Sequence, residues 1–143
     1  MSRYFGGMEF WLHHVQVSGP TGCEDAMRAF YAGVLGMTEV DKPERLRARG
    51  GVWFRAGSAE VHVGIEEGFA PARKAHPGLA VATTGGLDRL ADAVEASGAP
   101  VTWDDAIPGL RRFHTSDPVG NRLEFQQAQE SEGAPSSKHQ AHG

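Results

Sequence analysis

Apolar and polar positions alternate in several short stretches of this chain and recur at helical spacing in two longer ones. Phe10 to Val17 (FWLHHVQV) is aromatic and β-branched, which predicts a strand that the SGPTG turn then closes. Between Cys23 and Leu35, Met27, Phe30, Tyr31 and Val34 fall on one helical face; Thr21 is placed to cap the start and Gly36 to provide a left-handed stop. Three short strands are predicted next, at Met37 to Val40, Gly51 to Arg55 and Ala59 to Ile65. They are separated by the Arg-rich loop Lys42 to Arg49 and the Ala56-Gly57-Ser58 turn. A connector from Glu66 to Pro77 leads to an apolar strand at Gly78 to Ala82 and a helix marked by Leu87, Leu90, Ala91 and Val94, which ends at Gly98. Strands at Pro100 to Trp103, Arg111 to Thr115 and Arg122 to Gln126 finish the pattern, with a turn at Asp117-Pro118-Val119-Gly120-Asn121.

The order β-α-β-β-β therefore occurs twice, about 60 residues apart, as expected of two copies of one supersecondary unit. Antiparallel strands with the helices outside make this an α+β fold. The expected domain runs over 10–127, with a first module at 10–66 and a second at 76–127, after an N-terminal extension at 1–9. From residue 128 the segment AQESEGAPSSKHQAHG has no apolar side chain larger than alanine and cannot offset its ordering entropy, so 128–143 reads as a disordered tail, with His139 and His142 solvated in it.

At 143 residues and 40% hydrophobic composition the chain supports one compact core. A net charge of −4 leaves no basic stripe to neutralise several phosphates, so nucleic acid is a poor partner and a small molecule a better one. No apolar run is long enough to cross a bilayer, and MSRYFGGMEF lacks the basic start and apolar stretch of a secretory signal; a cytoplasmic protein without a membrane partner is expected. The sole cysteine, Cys23, has no partner in the chain for a disulfide and reads as a small buried side chain.

Strand periodicity then sorts the polar residues. His14 and Gln16 share one face of the first strand, opposite His13, Val15 and Val17. Glu60 and His62 oppose Val61, Val63 and Ile65; Arg122, Glu124 and Gln126 oppose Leu123 and Phe125. Three strands thus gather potentially ligating groups on one side. Histidine nitrogens with a carboxylate suit Zn, Fe, Mn, Ni or Co, and three such ligands leave positions open for substrate. His14, His76 in Ala75-His76-Pro77, and Glu124 are the candidate set. Solvated polar faces would show the same alternation in any single strand, so the recurrence carries the argument. Arg111, Arg112 and Arg122 are candidates for an anionic substrate, Arg45, Arg47 and Arg49 for closing over one, and Trp53 and Trp103 for core packing.

In order along the chain, LHHVQV, AFYAGVLGM, GVWFRAGSAEVHVGI, KAHPGLAV and DPVGNRLEF resemble the blocks of the vicinal oxygen chelate superfamily, the glyoxalase, bleomycin resistance and dioxygenase proteins. The resemblance spans Leu12 to Gln126 and is most specific at the FYxxxLGM helix end and the DPxGNxLEF close. It implies two βαβββ modules forming a half-open mixed-sheet cup with helices outside. Ligands on the first, fifth and eighth strands fall on His14, His76 and Glu124, with Glu60 or His62 as a further ligand from the fourth strand. One divalent ion per site is implied. Glu124 and Glu60 become the candidate proton-transfer residues, while Gln16, His62, His114 and Arg122 line the substrate space. The implied activity is that of a metal-dependent lyase, isomerase or thiol transferase on a small oxygenated molecule bound through adjacent oxygens. An extradiol-type dioxygenase and a drug-binding, bleomycin-resistance-like protein are the alternatives. The resemblance also implies a homodimer, in which His14 meets His76 and Glu124 of a second chain.

Overall fold

The structure, a computed structural model, describes residues 7–129. The element order is β1 (Val15–Gly19), α1 (Glu24–Met27) continuing as a π-helix (Arg28–Val34), β2 (Thr38–Val40), α2 (Glu44–Arg47), β3 (Val52–Ala56), β4 (Ala59–Ile65), β5 (Gly78–Ala80), α3 (Gly86–Ala96), β6 (Thr102–Asp104), β7 (Leu110–Ser116) and β8 (Arg122–Ala128). Two four-stranded sheets result, ordered β1-β4-β3-β2 and β5-β8-β7-β6, so each half repeats one topology in an α+β fold. Both sheets are mixed, as the family resemblance implies, and not wholly antiparallel as strand periodicity alone suggested. β1 runs parallel to β4 and β5 parallel to β8, because a helix and two strands intervene before each pair closes.

The first strand starts later than its composition suggests. Residues 10–14 lie outside it, and pairing begins at Val15 opposite Val61. β4 itself begins at Ala59, directly after the hairpin turn, so residues 10–12 have no length of β4 to pair with. His13, which alternation places with the apolar Val15 and Val17, is consequently exposed. The hairpin between β3 and β4 is a two-residue turn with Gly57 at φ 59°, a conformation that glycine adopts freely at the first turn position. Within the Arg-rich loop, Glu44–Arg47 forms the short α2, which the sequence reading missed. β8 continues to Ala128, paired with Leu110, so the expected tail loses its first residue to the sheet. The remainder of that tail, from residue 130, and residues 1–6 of the N-terminal extension lie outside the described residues.

One core joins both halves: Met27, Phe30 and Tyr31 of the first helix pack with Phe54, Val61, Leu87, Val94, Phe113, Leu123 and Phe125. The first helix ends as expected at left-handed Gly36 (φ 78°), but Thr21 does not cap it; Cys23 occupies the N-cap without a side-chain bond and is buried. The helix start is instead tied to β3 by Glu24, whose Oε2 accepts the Gly51 N–H at 2.9 Å. That bond, with Arg28 and Lys42 nearby, holds the Glu24 carboxyl below the usual carboxylate range. A lowered folded-state pKa stabilises the fold above the ordinary value near 4.5, and the contribution disappears as pH falls through the lowered one. Glu24→Gln is therefore expected to reduce stability by about 1 kcal/mol at pH 7 and by much less at an acid pH below the lowered value. Urea titrations at the two pH values check this; an equal loss at both would contradict it.

Candidate metal centre

Backbone pairing in the second sheet sets the site. Gly78 lies opposite Glu124 in the parallel β5–β8 pair and the Glu124 N–H donates to the Pro77 carbonyl at 3.0 Å, which brings His76, just before β5, beside Glu124. On the other side of β8, His114 of β7 is registered directly against Glu124. Residues opposite one another in a ladder share a face, so His114 and Glu124 project together, away from buried Phe113, Leu123 and Phe125.

Glu124 is the hub. It is 5% exposed, and its Oε1 lies 3.1 Å from His76 Nε2, 3.2 Å from His114 Nε2 and 3.5 Å from Arg112 Nη1. One ligand atom from each of His76, His114 and Glu124 falls within 4.8 Å of the other two. The other ring nitrogen of His76 donates to the Lys74 carbonyl at 2.9 Å. With Nδ1 carrying that proton, a neutral His76 ring turns a bare Nε2 lone pair toward a carboxylate oxygen. Two acceptors face each other stably only when a proton or a cation lies between them, so the donor set fits a divalent ion. Arg112 spans Glu124 and Asp104, with Nη2 2.9 Å from Asp104 Oδ2. The Ala106 N–H and then Arg112 keep the Asp104 carboxyl below its usual range.

The first sheet carries a second polar cluster. His62 is buried and lies face to face between Trp53 (centroids 3.8 Å apart) and His14 (4.2 Å). Its Nε2 donates to Glu60 Oε1 at 2.8 Å, and Arg55 holds the other oxygen of Glu60 at 3.0 Å. Burial pushes the His62 imidazole below its usual value and favours the neutral ring, while the His62 bond and Arg55 lower the Glu60 carboxyl. Gln16 pairs with His62 across the parallel β1–β4 ladder and extends over Gly64, where a Cβ would stand 2.6 Å from its Nε2.

Of the residues singled out in the sequence, the structure thus gathers His76, Glu124 and His114 in the second sheet, and His14, Gln16, Glu60 and His62 in the first. Arg122, registered against Ser116, borders the His76–His114–Glu124 cluster. His14 does not join His76 and Glu124 within the chain; among the described residues they form the one three-ligand group with His114. Neither Trp53 nor Trp103 is a core residue. Trp53 stacks on His62, and Trp103 is 44% exposed with the Arg111 guanidinium 4.8 Å from its ring centroid. The roles of Arg112 as clamp and of the Lys74 carbonyl as orienter escaped sequence reading. Strand alternation does place Arg112 beside His114 on one face, but a main-chain acceptor leaves no trace in residue identity.

Comparison with known proteins gives the class. The family model of the Glyoxalase/Bleomycin resistance protein/Dioxygenase superfamily matches residues 11–125, and the chain belongs to that superfamily. Among solved structures, a glyoxalase family protein from Bacillus anthracis is 42% identical, with 85% of this chain and 100% of that one covered and a TM-score of 0.77. A lactoylglutathione lyase from Agrobacterium tumefaciens (20% identity, coverage 84% and 95%, TM-score 0.64) and a glyoxalase/dioxygenase from Nostoc punctiforme (18%, 82% and 90%, 0.67) share the fold. Comparison with curated proteins found no match.

Proposed function

We propose that the chain is a divalent-metal-dependent enzyme of the glyoxalase-like type, a lyase, isomerase or thiol transferase, acting on a small molecule bound through adjacent oxygens. The observation that carries this is the convergence of His76 Nε2 and His114 Nε2 on the buried Glu124 carboxylate. These three residues, with His14 of a second copy of the chain completing the set, would hold Zn, Ni, Mn, Co or Fe, and the bound ion would supply Lewis acidity to the substrate oxygens. The chain's own residues do the rest. The Lys74 carbonyl fixes the His76 tautomer, Arg112 orients Glu124, and Glu60, kept ionised, receives a substrate proton at the oxygen it shares with His62 Nε2. Two histidines with one carboxylate also make the set that holds iron(II) in oxygenases, so an extradiol-type reaction is the second reading.

The His14–Glu60–His62 cluster needs a second chain to meet the His76–His114–Glu124 cluster, which supports a homodimer with sites shared between subunits. Phe10, Trp11 and Leu12, immediately before His14, are 85%, 82% and 74% exposed, an apolar segment suited to such an interface. Among the described residues no helix is long and apolar enough to cross a membrane, and with a single cysteine this supports a cytoplasmic setting. Native mass spectrometry of protein purified without chelator, then loaded with each candidate ion, tests the reading. The expected species is a dimer with about one ion per chain, which loses metal as dilution dissociates it. Failure to take up any of the ions would remove the catalytic reading in favour of a binding protein, and full retention by the monomer would remove the shared site.

A further inference from the structure

Arg122 stands apart from the other cations of the second sheet. Arg111 is engaged by Asp88 through two bonds of 2.9 Å, and Arg112 by Asp104 and Glu124, whereas Arg122 makes no ion pair among the described residues. Its Nη1 donates to the Lys74 carbonyl at 3.2 Å, the same oxygen that accepts the His76 Nδ1–H. One nitrogen is thereby anchored and the other guanidinium donors remain for a ligand. Ser116 is registered against Arg122 as His114 is against Glu124, so Arg122 shares the site face. It lies two residues from Glu124 along β8, a displacement of about 6.6 Å. Arg122 also borders two clefts, one of about 490 Å³ with Thr102, His114 and Ser116, the other of about 390 Å³ with Gln16 and His76.

We propose that Arg122, with the Ser116 hydroxyl, is the receptor for a carboxylate on the substrate, which makes the substrate class a small acid with paired oxygens at one end and a carboxylate a few carbons away. The inference rests on the metal-dependent reading for the oxygen-binding end and on Arg122 alone for the other. A planar guanidinium matches a carboxylate in geometry and charge. The surrounding carboxyls, Glu124, Asp104 and the exposed Asp105, favour a ligand with a single negative charge there over a doubly charged phosphate. A carboxylate on Arg122 also stiffens the Lys74 carbonyl that orients His76, so acid recognition and metal-ligand geometry reinforce one another.

The test compares 2-oxoglutarate with 2-oxopentanoate, which lacks the second carboxylate, by calorimetry on protein whose metal content has been measured. The second carboxylate is expected to tighten binding by about tenfold or more. Arg122→Gln should abolish that advantage while 2-oxopentanoate binds as before, Arg122→Lys should keep part of it, and Arg89→Gln on the exposed face of α3 should keep all of it. Equal affinities in the unaltered protein, or an advantage that survives Arg122→Gln, would overturn the assignment. A second arm needs no metal: succinate should shift the amide resonances of Ser116 and Arg122 saturably in metal-free protein, and not in Arg122→Gln. Protein that answers succinate but takes up no ion would refute the metal reading alone, and protein that binds metal but ignores succinate would refute the carboxylate receptor alone. Inorganic phosphate displacing 2-oxoglutarate better than succinate does would replace the carboxylate by a phosphate group and overturn the assignment as stated.

Discussion

Asp117→Ala is expected to lower the stability of the protein by about 4 kcal/mol or more, a loss confined to the exceptional end of single substitutions. Asp117 is buried in the turn between β7 and β8, and four donors end on its carboxylate. Tyr31 Oη donates to Oδ2 at 2.7 Å and Asn121 Nδ2 to the same oxygen at 2.9 Å; the N–H groups of Val119 and Asn121 donate to Oδ1 at 3.0 and 2.9 Å. Asn121 also reaches the Ser18 carbonyl at 2.8 Å, so the network ties the first helix and β1 to the second module. Alanine leaves these buried donors without an acceptor, at about 1–3 kcal/mol for each one that cannot reach water. Tyr31→Phe removes one donor and its hydroxyl only, with an expected loss of about 1.5–2 kcal/mol. Burial and the nearby Asp117 push the Tyr31 hydroxyl well above its ordinary value of 10, so it remains a donor in the fold, and its contribution is full below that value and declines as pH rises above it, where the unfolded chain ionises. Urea denaturation of both variants decides the matter; a loss for Asp117→Ala no larger than that for Tyr31→Phe would show that the turn repairs itself with water.

This network joins the two distant blocks, FYxxxLGM and DPxGN, in which the family resemblance is most specific: Tyr31 and Asp117 touch. The elements were legible for a related reason. β4, from Ala59 to Ile65, was readable to the residue because strict alternation buries Val61 and Val63 and leaves Glu60 and His62 on the other face. The start of β1 was not, since Phe10, Trp11 and Leu12 have strand composition but no ladder to join within the chain. α2 was hidden for the opposite reason: a single turn without buried residues has no periodicity to detect. At the site, residue types pointed to His76 and Glu124, and registry across β7 and β8 then added His114, which alternation alone could place on the face but not against Glu124. Parallel pairing was illegible because residue pattern does not encode strand direction; only the connection lengths constrain it.

Glu124→Gln should weaken metal binding by more than about 100-fold while changing stability far less. The substitution keeps the size and the strand position, and it removes the one charge that faces both imidazoles. A neutral amide oxygen is a poor ligand for Zn, Ni or Co, and an amide nitrogen turned toward His76 Nε2 satisfies the ring without any cation. The effect on folding is bounded by Arg112. Its Nη2 bond to Asp104 at 2.9 Å survives, and the longer 3.5 Å contact to Glu124 is exchanged for one to a carbonyl oxygen, so about 1 kcal/mol is expected. The difference between these two losses separates a ligand from a structural carboxylate: a residue that serves only to pair Arg112 would lose stability and metal occupancy together. His114→Gln extends the argument to the residue whose role the sequence left as lining. If His114 is a ligand, competition with a chelator should show a loss approaching that of Glu124→Gln, whereas a lining residue would leave affinity within about threefold and alter only how substrates bind.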